Sequence, residues 1–159
     1  LEGGEDIAFI ARRMIISAAE DIGLANPNAL LLAQACFESV KVIGMPESRI
    51  ILSETAIYLA TSPKSNSTYL AIDDAIALVQ KTGSLPVPLH LRNAPTKLMK
   101  QLQYGKNYKY SHEYEGNFVK QDFLPSDIIG ISFWKPGTNQ REEELKKYMQ
   151  KIWGNYYTF

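Results

Sequence analysis

Residues 5–44 read EDIAFIARRMIISAAEDIGLANPNALLLAQACFESVKVIG. Apolar residues return there at helical spacing twice, with one break between. Ile7, Ile10, Ala11, Met14, Ala18 and Ile22 predict a first helix over about Glu5 to Ile22. Glu5 and Asp6 suit the positive end of its dipole, and Gly23 suits a left-handed stop. Asn26 as cap and Pro27 at the first helical position start a second helix. Leu30, Ala33, Phe37, Val40 and Ile43 are its expected buried stripe, and Gly44 ends it.

Two more helices follow. The third is expected from Pro46 to just before Pro63. Ile50 and Ile57 share one side of it, while Leu52, Ala56 and Leu59 share another. A helix apolar on most faces is central in its domain or covered by another chain. The fourth is expected over Ser65 to Lys81, with Tyr69, Ile72, Ile76 and Val79 inward and Gly83 as terminator. Short connections between helices favour antiparallel neighbours in a bundle. The class read from this pattern is all-α.

Beyond Gly83 the character changes. GSLPVPLHLRNAPTKLMKQLQYGKNYKY (83–110) holds three prolines, and no acid lies between Ala75 and His112. Prolines fix φ and remove donors, so this is an ordered irregular path with one short helix over Thr96 to Gln103. Tyr104 to Asp122 reads as a long loop that Tyr108, Tyr110, Tyr114 and Phe118 could pin. An extended segment over Ile128 to Trp134 and a final helix over Gln140 to Trp153 complete the chain. Asn139 can cap that helix, Glu142 sits at the capping-box position, and Glu142–Lys146 and Glu143–Lys147 are favourable pairs. The tail GNYYTF is either frayed or docked. One domain over 1–159 is expected, with a four-helix part (1–83), a mostly irregular part (84–138) and a final helix (139–153).

The zero formal net charge hides an asymmetry. Residues 1–79 carry five Lys/Arg against ten Asp/Glu, and residues 80–159 carry twelve against seven. The single cysteine, Cys36, rules out an internal disulfide, fits a reducing compartment and reads as a buried small apolar residue. No apolar run approaches bilayer length, so no membrane partner is expected. Nucleotide chemistry lacks its phosphate loop, since Gly105-Lys106-Asn107 has neither the upstream glycine nor the Ser/Thr magnesium ligand. His90 reads as a residue bonding loop carbonyls, and His112 with Glu113 and Glu115 is the weak case for a small enzyme site. No catalytic, cofactor or metal residues are nominated.

Arg92, Lys97, Lys100, Lys106 and Lys109 lie among Tyr104, Tyr108 and Tyr110. Cations for phosphates and aromatic faces for bases are what hold single-stranded nucleic acid. The alternative is structural: Arg92 pairs with an acid of the first half, the lysines solvate the loop and the tyrosines pack under it.

Several long stretches resemble one family. GGEDIAFIARRMIISAAEDIGLANPNAL (3–30), IYLATSPKSNSTYLA (57–71), GSLPVPLHLRNAPTKLMKQLQYGKNYKYSHE (83–113) and QDFLPSDIIGISFWKPGTNQREEE (121–144) are similar, in order, to the C-terminal domain of the RarA/MgsA AAA+ ATPases, relatives of the Werner-helicase-interacting protein. Ile7 stands where that family usually has proline, so a different start to the first helix is expected. The resemblance implies a clamp-loader-collar-like helical bundle that oligomerises, a homotetramer being favoured. It also implies a full-length DNA-dependent ATPase acting at stalled replication forks, cytoplasmic and nucleoid-associated. Leu1-Glu2-Gly3-Gly4 reads as the interior of a longer chain, with an upstream ATPase module to carry ATP and magnesium. Ile50, Ile57, Tyr58 and Tyr69 are the candidate oligomer contacts.

Overall fold

The computed structural model describes residues 1–158. Among these every regular element is helical: α1 (Ile7–Ser17), α2 (Asn28–Ile43), α3 (Ser48–Thr61), α4 (Ser67–Thr82), α5 (Lys97–Gln101) and α6 (Gln140–Trp153). The chain divides into two compact units, 1–74 with 133–147, and 75–132 with 148 onward; the boundaries fall inside α4 and α6.

In the first unit Asp6 accepts the Phe9 amide at 2.7 Å, so the cap precedes Ile7 and Ile7 takes the first helical position. The expected α-helix to Ile22 stops at Ser17 and continues as one π turn, Ala18–Ile22. The wider turn brings both Ala18 and Ile22 into the core, and Ser17 Oγ donates to Asp21 across it at 2.7 Å. Gly23 is then obligatory. Its φ is +48°, and a Cβ there would lie 2.9 Å from the Ser65 carbonyl oxygen.

The buried face of α2 keeps Ala33 and Val40 of the expected stripe, with Phe37 packed against the core, and differs at its ends. Ala29, Ala33, Cys36 and Val40 are enclosed, whereas Leu30 and Ile43 face out. Small side chains win this face because α1, with Ala11 and Ala18 opposite, can then approach closely. One core cluster joins Ala18, Ile22, Ala29, Ala33 and Leu59; a second joins Ala11, Cys36, Val40 and Leu52, and Met14 packs against both. Asn26 does not cap α2 with its side chain. Its amide donates to Tyr58 Oη and Ser62 Oγ, each at 3.0 Å, tying the α2 entry to the end of α3. Helix α3 starts at Ser48 rather than Pro46, with the buried Ser48 hydroxyl donating to the Gly44 carbonyl at 2.6 Å.

Tyr69, Ile72, Ile76 and Val79 of α4, expected inward, are 48%, 56%, 48% and 61% exposed. Helices α1, α2 and α3 pack on one another, whereas this row of α4 stays about half exposed among the described residues.

Glu142 closes the first unit. It is fully buried, and no cation among the described residues pairs with it. Its carboxylate accepts from Ser67 Oγ at the start of α4, from Trp134 Nε1 at 3.4 Å, from the Gly137 amide at 3.1 Å and from the Asn139 side chain. Asn139 Oδ1 accepts the Glu142 amide at 3.0 Å, so the cap forms as expected while the Glu142 side chain turns inward. The Glu142–Lys146 pair therefore does not form. Gly137 leaves the room: a Cβ there would lie 2.6 Å from Glu142 Oε2. Burial by itself would raise this carboxyl's pKa, but the hydrogen bonds from Ser67, Ser65, Asn139 and Trp134 outweigh it and hold the group below the ordinary glutamate range.

In the second unit Trp153 is buried among Phe118, Phe123, Tyr156 and Tyr157, with ring centroids 4.9 to 6.5 Å apart. The tail is docked through Tyr156 and Tyr157; its last residue, Phe159, lies outside the described residues. Of the loop aromatics Phe118 reaches this cluster, while Tyr108, Tyr110 and Tyr114 are exposed. Where an extended segment is expected over 128–134, the 3₁₀ turn Ser126–Ile128 is followed by chain without regular secondary structure, and no strand is found among the described residues.

Glu142→Ala is expected to cost about 3 kcal/mol by stranding buried donors, and Glu142→Gln somewhat less, read as a urea midpoint. A carboxyl whose pKa folding lowers adds stability that is full above its unfolded value of about 4.3 and is lost as pH falls through the folded value. The acid-side loss of stability is thus expected to be shallower in Glu142→Gln than in wild type; equal slopes would refute this role.

Candidate functional site

The prolines and loop bonds of the second unit place the basic residues in two groups. Thr96 caps α5 through its hydroxyl, which accepts the Met99 amide at 3.2 Å. Lys97 and Lys100 project from this short helix and are exposed. Arg92 is occupied by the loop itself. Its Nε donates to the Val87 carbonyl at 2.6 Å, its Nη1 to Tyr104 Oη at 3.1 Å, and its guanidinium lies 5.1 Å from the Tyr104 ring centroid. Its partners are thus a carbonyl and a tyrosine, not an acid of the first half. Arg92 and Tyr104 together hold residues 87–92 against 104–105, reinforced by the Gly105 amide on the Leu89 carbonyl at 2.8 Å.

Lys106 and Lys109 belong to the second group. They line a groove of about 470 Å³ together with Lys120, His90, Asn107 and Asp122. His90 Nε2 donates to the Asp122 carbonyl at 2.7 Å, the loop-bonding role its sequence position suggests. The Gln121 side chain bridges the groove walls, donating to the Lys109 carbonyl at 2.9 Å and accepting the Lys109 amide at 3.4 Å. Tyr108 and Tyr110 flank Lys109 and are about half exposed, with His112 5.1 Å from Tyr110 ring to ring. Nothing in the sequence pattern nominates Lys120. Its membership depends on the Gln121–Lys109 bridge, which no spacing rule announces.

A second concavity, of about 630 Å³, runs along the outer side of α3. Ile50, Ile57 and Tyr58 line it with Arg49, Glu54 and Thr61. Ile50 and Ile57 are 59% and 62% exposed, whereas Tyr58 is half-buried and bonded to Asn26. Tyr69, the remaining nominated contact, stands in the exposed row of α4. No helix among the described residues is long and apolar enough to cross a membrane.

The chain is 42% identical over 151 residues to the replication-associated recombination protein A of Coxiella burnetii, covering 94% of this chain and 34% of that protein. It is 39% identical over 153 residues to the protein of the same name from Bacillus subtilis, covering 96% and 36%. The ATPase WRNIP1 of Dictyostelium discoideum is 42% identical over 136 residues, covering 85% and 16%. The chain thus spans about a third or less of the length of these relatives. The family model described as MgsA AAA+ ATPase C terminal matches residues 1–153, and the chain belongs to that family.

Proposed function

We propose that this domain is the self-association module of a replication-associated recombination ATPase, joining copies of the full-length motor into a tetramer that works at stalled replication forks in the cytoplasm. The observation that carries this reading is the exposure of aliphatic side chains on α3 and, taken separately, along α4. Ile50, Ile57, Ile72, Ile76 and Val79 are all close to half exposed or more. Exposed apolar surface of this kind marks a protein contact. Burying it against a second copy recovers about 25 cal/mol for each Å² of apolar area, part of which the lost freedom of association consumes. Hydrolysis belongs, on this reading, to the upstream module with its ATP and magnesium, and this fragment is not itself an enzyme. A tetramer would set several motors beside one DNA end.

A second reading, contact with DNA through residues 92–110, is favoured by one observation. Lys106 and Lys109 are exposed on either side of Tyr108 in the chain, and no described acid pairs with them.

Size exclusion with light scattering tests the first reading. At high micromolar concentration the mass is expected at a multiple of 17.9 kDa, four-fold if the tetramer holds. Ile57→Asp with Ile76→Asp should return it toward one chain with unchanged helicity, since both side chains are exposed. A wild-type mass of one chain under those conditions would sink the proposal. The same chain should show no ATP turnover above background, and turnover lost on mutation of Lys106 would contradict its role as a scaffold.

A further inference from the structure

The groove of the second unit gathers three ammonium groups, Lys106, Lys109 and Lys120, from two separate stretches of chain. Asp122 is the lone carboxylate in its lining, and none of the three lysines makes an ion pair with a described residue. Like charges held on one concave wall raise each other's energy, and a polyanion lying between them relieves it. The arrangement is also fixed rather than incidental. Gln121 clasps the Lys109 backbone with two hydrogen bonds, and His90 clasps Asp122. Gln103 and Asn107 take left-handed backbone conformations (φ 64° and 65°) on either side of Gly105, which turns the chain sharply where Lys106 joins the lining. Tyr108 and Tyr110 alternate with the lysines along the chain and are about half exposed.

We infer that this groove binds the phosphodiester backbone of single-stranded nucleic acid, with Lys106, Lys109 and Lys120 on successive phosphates and Tyr108 or Tyr110 stacking on a base. This deepens the second reading above and rests on it. It also places the contact apart from Arg92 and α5, neither of which lines the groove; two of the Arg92 guanidinium donors are directed to Val87 and Tyr104. The groove, of about 470 Å³, is small, and the neighbouring exposed tyrosines favour an unpaired strand, whose bases are free to stack. The recognition expected is the sequence-tolerant kind, in which cations track phosphates and aromatic faces receive any base.

The test is fluorescence anisotropy of a labelled oligothymidylate of roughly 12 nucleotides against the chain, at low salt and at about 0.15 M. Binding is expected at low salt and should weaken steeply at the higher concentration. Lys109→Glu with Lys120→Glu is expected to reduce affinity at least tenfold and to lower the salt slope by ~0.7 for each phosphate left without its cation. Lys97→Glu with Lys100→Glu should change affinity by less than about threefold, since those side chains lie on α5 outside the groove. Amide shifts on adding the oligonucleotide to the wild-type chain should centre on 103–110 and 120–122, which keeps the test valid if a variant misfolds.

If the α5 pair loses affinity as much as the groove pair, or if the shifts fall on α5, DNA contact stands and the groove assignment falls. If no strand binds at low salt, both fall together. Pyrophosphate displacing the strand at equal charge concentration would mark the groove as a free-phosphate site and overturn the strand assignment.

Discussion

A carboxylate without a cation organises the first unit. Glu142 is taken wholly out of water and held by neutral donors from the start of α4, from the segment before α6 and from the α6 cap. Burying a charge is costly unless every lone pair finds a donor. Here the donors are supplied by Ser67, Trp134, Gly137 and Asn139, spread over residues otherwise far apart in sequence. An ion so placed is intolerant of alternatives: α6 can start only where Asn139 caps it, and the chain before it can pass only where residue 137 has no side chain. This is specificity obtained from polar groups, in a unit whose remaining contacts are mostly between alanines and aliphatic residues.

The helices were legible because their apolar period and their stops are local. Gly23, Gly44 and Gly83 punctuate the chain at positive φ where the sequence suggested ends. The faces were less legible. In α2 the larger Leu30 and Ile43 looked like core, yet the alanines took the inside because helix proximity rewards small side chains there. In α4 the row Tyr69, Ile72, Ile76 and Val79 obeys the rule for an inward face and still points outward. Periodicity reports that a face wants burial; it does not report whether the cover belongs to the same chain.

The loops were legible in composition and not in geometry. Prolines and missing acids marked 83–110 as ordered and basic, but which cation would be free depended on side-chain bonds to backbone carbonyls. Arg92 reads either as a phosphate ligand or as the partner of a first-half acid, and its guanidinium donates instead to the Val87 carbonyl and Tyr104. Lys120 is not singled out by the sequence, and the Gln121–Lys109 bonds bring its stretch of chain to the groove. Glu142 misleads for a related reason: its capping position is local, while its destination among Ser67 and Trp134 is not.

The two tryptophans differ in surroundings as well as in place. Trp134, in the first unit, donates its indole N–H to Glu142 and Ser67, while Trp153, in the second, is enclosed by tyrosine and phenylalanine rings. Their emission therefore answers to different events. One indole senses the ionisation and hydration of a single carboxylate; the other senses whether the aromatic tail is seated, partly through energy received from neighbouring tyrosines. Replacing either one with phenylalanine would leave a chain whose light reports on just one unit.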